Sequence, residues 1–515
     1  FGNGTLSLSG NNTLNTLVVD GGTLRFNGQG SASVTVQNGA MLTGSGALTG
    51  GVTIANGGHL GLAAGSVLNL HSLVLNNTSN LDVALGAAVP GAAGLANISH
   101  DLTLDGRLNI TDTGGFGLGV YRLFDYNGAL INNDLELGAL PVGILANELE
   151  VQTSVSRQVN LVVGSPEYIR FWDGSELTGN GSIEGGNGIW NSTSANWTTV
   201  NAGLNGAWNK SFAVFQGTAG TVTVDGAQSV TGLQFVTDGY QLVGGATDSL
   251  QLLNSNSGYS TLRVDNGVTA TLDVNLGGSG VLNKVDSGTL VLNGSNTYSG
   301  GTRLSGGALV LGNNAALGSG SLTSAAGTTL DSNTAVSLAN DLNLNGALTL
   351  AGSHDLTLNG VVLGTGTLEK NGNSTLTLNG ANGYAGTTLN AGKLMLGNSA
   401  ALGSGPLAVA GVASLDTSAA MTLANAINFG VSNGSSLTLA GNHDLTLSGA
   451  LSGNGTLVKQ GASTLDLTGS SNFSGAYQID AGRLNLLGSN GSSAWRCGAV
   501  QWRWRWPPSC SPRPA

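Results

Sequence analysis

A unit of about 35 residues occurs three times in this chain, and this repetition constrains the fold more than any other feature. The copies run near residues 278–312, 364–397 and 453–488. Lys284, Lys370 and Lys459 hold the same position in them and are 86 and 89 residues apart. Self-similarity at a long period indicates a solenoid, in which stacked units share one continuous core.

Within each copy, short leucine-containing runs alternate with turns of glycine, asparagine and serine. In one such run Leu290 and Leu292 point to one face of a strand and Thr289 to the other. Strands this short cannot cover a core as an isolated sheet, but stacked coils bury their leucines on those of the coil below. At roughly 20 residues per coil, the chain is expected to be all-β, a parallel β-helix of about 24 coils.

Composition favours such a fold over disorder. Charged residues make up 9% of the chain, against about 25% in ordinary globular proteins. Glycine accounts for 85 of 515 residues, a load that a β-fold tolerates only at turns and bulges. The alternating leucines argue against disorder of the main body.

Charge argues against a nucleic-acid partner. Residues 1–494 hold 28 acidic and 13 basic side chains, whereas nucleic-acid affinity needs clustered Lys and Arg. No apolar run is long enough for a membrane helix, and no signal peptide is visible at the start of the sequence.

The repeat resembles the passenger-associated β-strand repeat of bacterial autotransporters, which belong to type V secretion. The matching positions in the first copy are Gly278, Gly280, Leu282, Lys284, Gly288, Leu290, Leu292, Gly294, Asn296 to Thr302, Gly307, Leu309, Leu311 and Gly312. The second copy lacks one residue in its turn, and the third has Phe473 where the others have Tyr298 and Tyr384.

This resemblance implies a right-handed β-helix that is exported by a Gram-negative cell. Its expected location is the cell surface, at the outer membrane, or the extracellular medium. The family ends in a membrane β-barrel that is missing from this sequence, so membrane contact is expected only through that absent domain.

Four segments are expected along the chain. Residues 1–164 form a first β-helix module, which Pro166 ends, and residues 165–226 form a boundary with tryptophan-rich coils. Residues 227–493 form the β-helix of repeats. The two modules are able to share one continuous helix if coils stack across the boundary.

The last segment, residues 494–515, is foreign to the rest and is expected to be disordered. It holds both cysteines, Cys497 and Cys510, together with four of the eight prolines and four of the eight tryptophans. Alternating Trp and Arg are typical of peptides that bind a membrane interface. The abrupt change of composition favours out-of-frame translation instead.

A tryptophan cluster is the one candidate interaction surface. It consists of Trp172, Trp190, Trp197 and Trp208, which would form an aromatic platform for glycan stacking or partner contact if exposed. In the alternative interpretation, which we favour, the rings fill wide coils or cap the second module.

Three His-Asp pairs invite a metal or catalytic interpretation: His100-Asp101, His354-Asp355 and His443-Asp444. Because each precedes a Leu-Thr-Leu strand in an equivalent coil, we interpret them as turn positions. A metal site would need three or four convergent ligands. We predict no catalytic residue, no metal site and no cofactor.

The function expected from these features is that of a non-catalytic stalk that mediates adhesion, aggregation or contact with a host. Its partners would be surface glycans or proteins, or further copies of itself. One alternative is a β-helix enzyme that degrades polysaccharide, for which the sparse, scattered charge is a poor match. Another is a carrier fragment whose effector domain lies before Phe1.

Overall fold

The computed structural model describes residues 2–86, 94–165, 167–430 and 434–488, together with the backbone of Trp495–Cys497. These residues form strands, turns and one 3₁₀ turn, Ala146–Glu148, so no helix among them could cross a membrane. The fold is an all-β parallel solenoid of about 24 coils. It is divided into two compact units, Phe1–Thr334 and Ala335–Ala515.

The first part of the first unit is built from three sheets of stacked strands. In stacking order, the first sheet holds β1 (Thr5–Leu8), β4 (Thr23–Phe26), β7 (Met41–Thr43), β10 (His59–Ala63), β13 (Asn80–Leu85), β16 (Arg107–Asp112) and β19 (Glu136–Leu137). The second holds β2 (Asn11–Asn12), β5 (Gln29–Gly30), β8 (Ala47–Leu48), β11 (Leu68–Leu70), β14 (Ala96–Ile98), β17 (Gly119–Tyr126), β21 (Gln158–Val163) and β20 (Leu149–Gln152). The third holds β18 (Leu130–Asn132), β15 (Leu102–Leu104), β12 (Leu73–Leu75), β9 (Val52–Ile54), β6 (Ser33–Val36) and β3 (Thr16–Val19).

Three further sheets form the rest of the first unit. The fourth sheet holds β25 (Asn205–Gly206), β24 (Trp197–Thr198), β22 (Ile169–Trp172), β26 (Phe212–Phe215), β29 (Gly232–Phe235), β32 (Ser260–Val264), β35 (Leu282–Val285), β37 (Thr302–Leu304) and β39 (Leu322–Ser324). The fifth holds β23 (Gly188–Trp190), β27 (Thr221–Val224), β30 (Gln241–Gly244), β33 (Thr269–Leu272), β36 (Thr289–Leu292), β38 (Ala308–Leu311) and β40 (Thr328–Ser332). The sixth holds β28 (Ala227–Val230), β31 (Ser249–Leu252) and β34 (Asn275–Gly278).

The second unit continues the same construction. One ladder runs through β41 (Val336–Leu338), β44 (Leu356–Leu358), β47 (Thr375–Leu378), β48 (Gly386–Leu396), β49 (Leu407–Thr417), β52 (Ser436–Leu439), β55 (Thr456–Lys459), β57 (Ala476–Ile479) and β59 (Trp495–Cys497). A second ladder runs through β43 (Leu348–Leu350), β46 (Thr367–Lys370), the long strands β48 and β49, β51 (Ile427–Phe429) and β54 (Leu451–Ser452). The remaining ladders are β42 (Leu342–Leu344) with β45 (Val362–Gly364), and β50 (Met421–Leu423), β53 (Leu445–Leu447), β56 (Thr464–Leu467) and β58 (Arg483–Leu486).

The strand register confirms the predicted coil length and the inward-facing leucines. Leu290 of β36 pairs with Leu309 of β38, 19 residues later, and Leu356 pairs with Leu376, 20 residues later. Leu290 and Leu292 are fully buried, whereas Thr289 is half-buried on the outer side. Stacked coils therefore bury a leucine of each strand on the leucine of the next.

The parallel pattern is broken at the end of the first three sheets. Strands β17, β21 and β20 pair antiparallel and close the second sheet. In the described part of the unit, no strand of these three sheets pairs with a strand of the fourth, fifth or sixth sheet. A backbone ladder shared across this boundary is therefore not found. Pro166, to which the boundary was assigned, lies outside the described residues.

The boundary is instead a packing of one sheet face against another. Val120 of β17 and Val162 of β21 belong to a buried apolar cluster with Phe171 of β22 and Phe212 of β26. Their strand neighbours, such as Tyr121, point the other way into the first module's core. The antiparallel strands are thus buried on both faces.

The tail of residues 494–515 lies outside the described residues except for the short strand β59. The backbone of Trp495–Cys497 pairs in parallel with Tyr477–Ile479 of β57. At these three positions the structure shows an additional paired strand where we expected disorder. Main-chain bonds to an exposed edge do not depend on side-chain identity, which explains why a foreign sequence can pair there.

Candidate functional site

The lysine of each repeat lies at the end of a strand, and its buried ammonium group contacts the turn that follows. Lys284, Lys370 and Lys459 are exposed by 0, 1 and 2% respectively. The Nζ of Lys284 donates to the carbonyl oxygens of Val285 at 2.9 Å, Asp286 at 2.8 Å and Gly306 at 3.2 Å. Because Gly306 lies one coil later, the ammonium ties two successive turns together.

The same arrangement recurs in the second and third copies. Lys370 Nζ donates to the carbonyls of Asn371 at 2.5 Å and Gly372 at 2.9 Å. Lys459 Nζ donates to those of Gln460 at 2.5 Å and Gly461 at 3.0 Å. The repeat lysine therefore serves the turn and is not available to a substrate.

Burial controls the protonation of these lysines. It lowers the pKa of Lys284 to about 8, against the opposing charges of Asp286 and Asp265. Burial also lowers the pKa of Lys370 and of Lys459, with Asp355 and Asp444 respectively opposing it. Each ammonium is thus desolvated at a cost that the surrounding carbonyl acceptors offset in part.

The position beside this turn requires glycine, because two coils approach each other closely there. Gly307 has φ +65°, and a Cβ built on it would lie 2.4 Å from the carbonyl oxygen of Gly288 in the coil below. A side chain here would both strain the backbone and collide with that turn. The glycines of the signature are therefore requirements of stacking.

The asparagine of the signature also bonds between coils, and the tyrosine forms a local bond. Asn296 accepts a bond from the amide of Leu276 at 2.7 Å and donates to the carbonyl of Ala316 at 2.6 Å. The hydroxyl of buried Tyr298 lies 2.6 Å from that of Thr302. Asn296 thus bridges three coils, as Asn382 does in the second copy.

The aspartates of the later His-Asp pairs cap the next coil. Asp355 Oδ1 accepts the backbone amide of Thr375 at 2.7 Å, and Asp444 Oδ1 accepts that of Thr464 at 2.6 Å. In the first module, Asp101 does the same for Ala129 at 2.8 Å. Within the described ranges no three His, Cys, Asp or Glu side chains are placed to hold a metal ion. These bonds support the interpretation as turn positions.

The four tryptophans lie inside the coil and not on its surface. Trp172, Trp190 and Trp197 are 0% exposed, and Trp208 is 8% exposed. Ring centroids are 4.8 Å apart for Trp190 and Trp197 and 4.4 Å for Trp197 and Trp208. Trp172 Nε1 donates to the carbonyl of Gly186 at 2.8 Å.

This burial removes the ring faces that a stacking platform would need. The edge-to-face packing is the geometry by which large aromatics fill a wide core. The position agrees with the alternative interpretation, in which these rings fill the coils at the start of the second module.

Two polar side chains form hydrogen bonds to the backbone at the start of β17, across the boundary between the modules. Gln234 of β29 accepts the amide of Val120 at 2.7 Å and donates to its carbonyl at 2.9 Å, as a neighbouring strand would. Arg263 of β32 donates to the carbonyl of Leu118 at 3.0 Å and lies 4.8 Å from the centre of the Tyr121 ring. The amide and guanidinium groups thus bond the edge of a strand that belongs to another sheet.

A buried ion pair holds Arg263 in place. Its Nε lies 2.9 Å from Asp286 Oδ2, and the two side chains are 6 and 1% exposed. Burial also raises the pKa of the adjacent Asp265 to about 7, against the opposing charge of Arg263. Sequence reasoning missed this network because its members lie far apart in the chain and on different strands.

A comparison with known protein families finds the same repeat. The family model described as Passenger-associated-transport-repeat matches residues 1–26, 282–311, 368–396 and 457–486. The three later matches coincide with the copies seen in the sequence. Residues 1–26 are an additional match. They were not recognised as a copy from the sequence, because this segment has no signature lysine or tyrosine.

The chain is also similar to a curated protein. The chain is 37% identical over 358 residues to the Adhesin BmaC autotransporter of Brucella suis biovar 1 (strain 1330). The alignment covers 63% of this chain and 10% of that protein, so the chain spans about a tenth of the relative's length. No solved structure matches the chain.

Proposed function

We propose that this chain, an autotransporter passenger, is a non-catalytic adhesive stalk displayed outside the cell or released from it. The observation that carries the proposal is the use of the polar residues of the repeats and of the segments between them. Lys284, Asn296 and Asp355 all bond to a backbone within their own coil or an adjacent one. A repeat built in this way maintains a surface and performs no reaction.

The relative supports the adhesive part of the proposal. The matching protein is named an adhesin, and the chain is 37% identical to it over 63% of the chain's own length. Adhesion requires an outer surface that stays ordered over many coils, which the bonds between coils provide.

Coated beads test the proposal directly. Latex beads that carry the purified chain are expected to adhere to cultured epithelial cells in greater number than beads that carry albumin. Antibodies against the chain are expected to label intact bacteria that produce the whole protein. Equal adherence of the two kinds of bead would refute the adhesive role, and labelling confined to lysed cells would refute surface display.

A further inference from the structure

An open groove of about 400 Å³ crosses the outer face of the second sheet in the first unit. It spans strands β8, β11, β14 and β17. Two rows of outward side chains lie along it, with Asn69, Asn97 and Asp125 in the first row and His71, Ser99 and Asn127 in the second. Neighbouring residues within a row are one strand spacing apart, about 4.8 Å.

The first row presents a matched donor and acceptor. Asn97 Nδ2 donates to Asn69 Oδ1 at 3.1 Å. Among the residues that the structure describes, the other amide nitrogen of this pair, Asn69 Nδ2, and the other oxygen, Asn97 Oδ1, have no protein partner. If both amides were turned over, one donor and one acceptor would still remain. Such a pair suits two neighbouring hydroxyls, each of which both donates and accepts.

The second row adds one flat ring, the imidazole of His71, which packs on His100 beside the groove. The imidazoles of His71 and His100 are 3.8 Å apart between centroids and tilted by 39°. Ser99 Oγ lies 3.1 Å from His100 Nδ1 and fixes that ring. Aromatic ring faces pack against the apolar C–H face of a pyranose while their edges remain available for hydrogen bonds.

The charged groups at the groove are already engaged by the protein. Asp125 Oδ2 accepts the amide of Gly94 at 2.6 Å, and its Oδ1 lies 3.5 Å from Arg122 Nη1. Arg157 Nη1 donates to the carbonyl of Asn127 at 2.8 Å. The polar groups that the described part of the groove leaves for a ligand are therefore neutral: the free amide atoms of Asn69 and Asn97 and the imidazole of His71.

We propose that this groove binds a neutral oligosaccharide, with hydroxyls on the Asn69–Asn97 pair and a sugar ring against His71. The proposal rests on the proposed adhesive function and gives it a ligand class and a site. The groove holds and does not cleave the ligand. Glycoside hydrolysis needs two carboxyl groups flanking the bond, and among the described lining residues Asp125 is the single carboxylate.

Isothermal titration calorimetry on the whole chain tests the site, with maltotetraose, cellotetraose and chitotetraose as neutral probes and sialyllactose as the anionic one. At least one neutral probe is expected to bind with a Kd below about 1 mM. Asn97→Ala and His71→Ala should each weaken binding about tenfold, the effect of one lost hydrogen bond or stacking contact. Thr53→Ala, on the outer side of the third sheet, is the matched control and should bind as the unaltered chain does.

Three results would overturn the site: no binding of any neutral probe, tighter binding of sialyllactose, or unchanged binding in both groove variants. Circular dichroism melting of each variant verifies that a loss of binding is not a loss of fold. The bead assay is independent. Adherent beads without sugar binding refute the groove alone, and sugar binding without adherence refutes the adhesive role alone.

Discussion

The buried ammonium of Lys284 predicts that the chain becomes more stable as the pH rises from 7 to 10. Burial lowers the pKa of this lysine to about 8, against about 10.4 in an unfolded chain. Between these values the unfolded state binds a proton that the native state has released. Stability rises with pH wherever the unfolded state binds more protons.

The size of the effect follows from the two pKa values. From pH 7 to pH 10, the difference in proton binding amounts to roughly 2–3 kcal/mol in the free energy of unfolding. Lys284→Met removes the titrating group and with it this rise. Lys210→Met, at an exposed lysine, is the matched control and should leave the pH dependence unchanged.

Urea unfolding followed by tryptophan fluorescence measures the effect. The buried tryptophans and Lys284 belong to the same compact unit, and all variants carry the same eight tryptophans. The difference between the unaltered chain and Lys284→Met should grow in favour of the unaltered chain as the pH rises. A difference that stays constant from pH 7 to 10 would show that the carbonyl acceptors fully replace the lost hydration, and the reasoning would fail.

Three further substitutions follow from buried contacts, and urea midpoints measure each of them. Leu290→Ala should destabilise the chain by about 2–5 kcal/mol. Its control, Thr289→Ala on the outer side of the same strand, should cost less than about 1 kcal/mol. Equal losses would mean that Leu290 does not face the core. Tyr298→Phe should cost about 1 kcal/mol through the lost hydroxyl bond, and no loss would show that this bond contributes nothing. Arg263→Met should cost about 3–5 kcal/mol because it leaves the buried carboxylate of Asp286 unpaired, and a neutral effect would mean that the ion pair does not stabilise the boundary.

The sequence was sufficient to predict the architecture of the coils. Alternation placed Leu290 and Leu292 inward because a strand has a two-residue period, and the repeat placed the glycines at turns. The three copies show the same leucine alternation and the same glycine positions, so each prediction rested on three independent segments. Burial of Lys284 was not predicted, because a lysine side chain is ordinarily exposed and its carbonyl partners come from the backbone.

The boundary between the modules could not be predicted for a different reason. Gln234 and Val120 are 114 residues apart, and neither lies in a repeated pattern. Their contact depends on the antiparallel strands β17, β21 and β20, which interrupt the solenoid. Nor does the groove have a motif, because Asn69 and Asn97 come together only through the register of β11 and β14.

The capping aspartates have a consequence for how such a chain folds. Each carboxylate accepts an amide one coil later, 20 residues on for Asp355 with Thr375 and for Asp444 with Thr464, and 28 residues on for Asp101 with Ala129. A formed coil therefore presents its successor with acceptors already in position, and only the first coil has to form without a template. Because every contact of this kind spans one coil of 20 to 28 residues, the loop entropy of closing it changes little along the chain, by about 0.3 kcal/mol between these two lengths. The time needed to add a coil should not depend on how many coils are already in place, so a longer chain of this kind folds by more steps and not by harder ones.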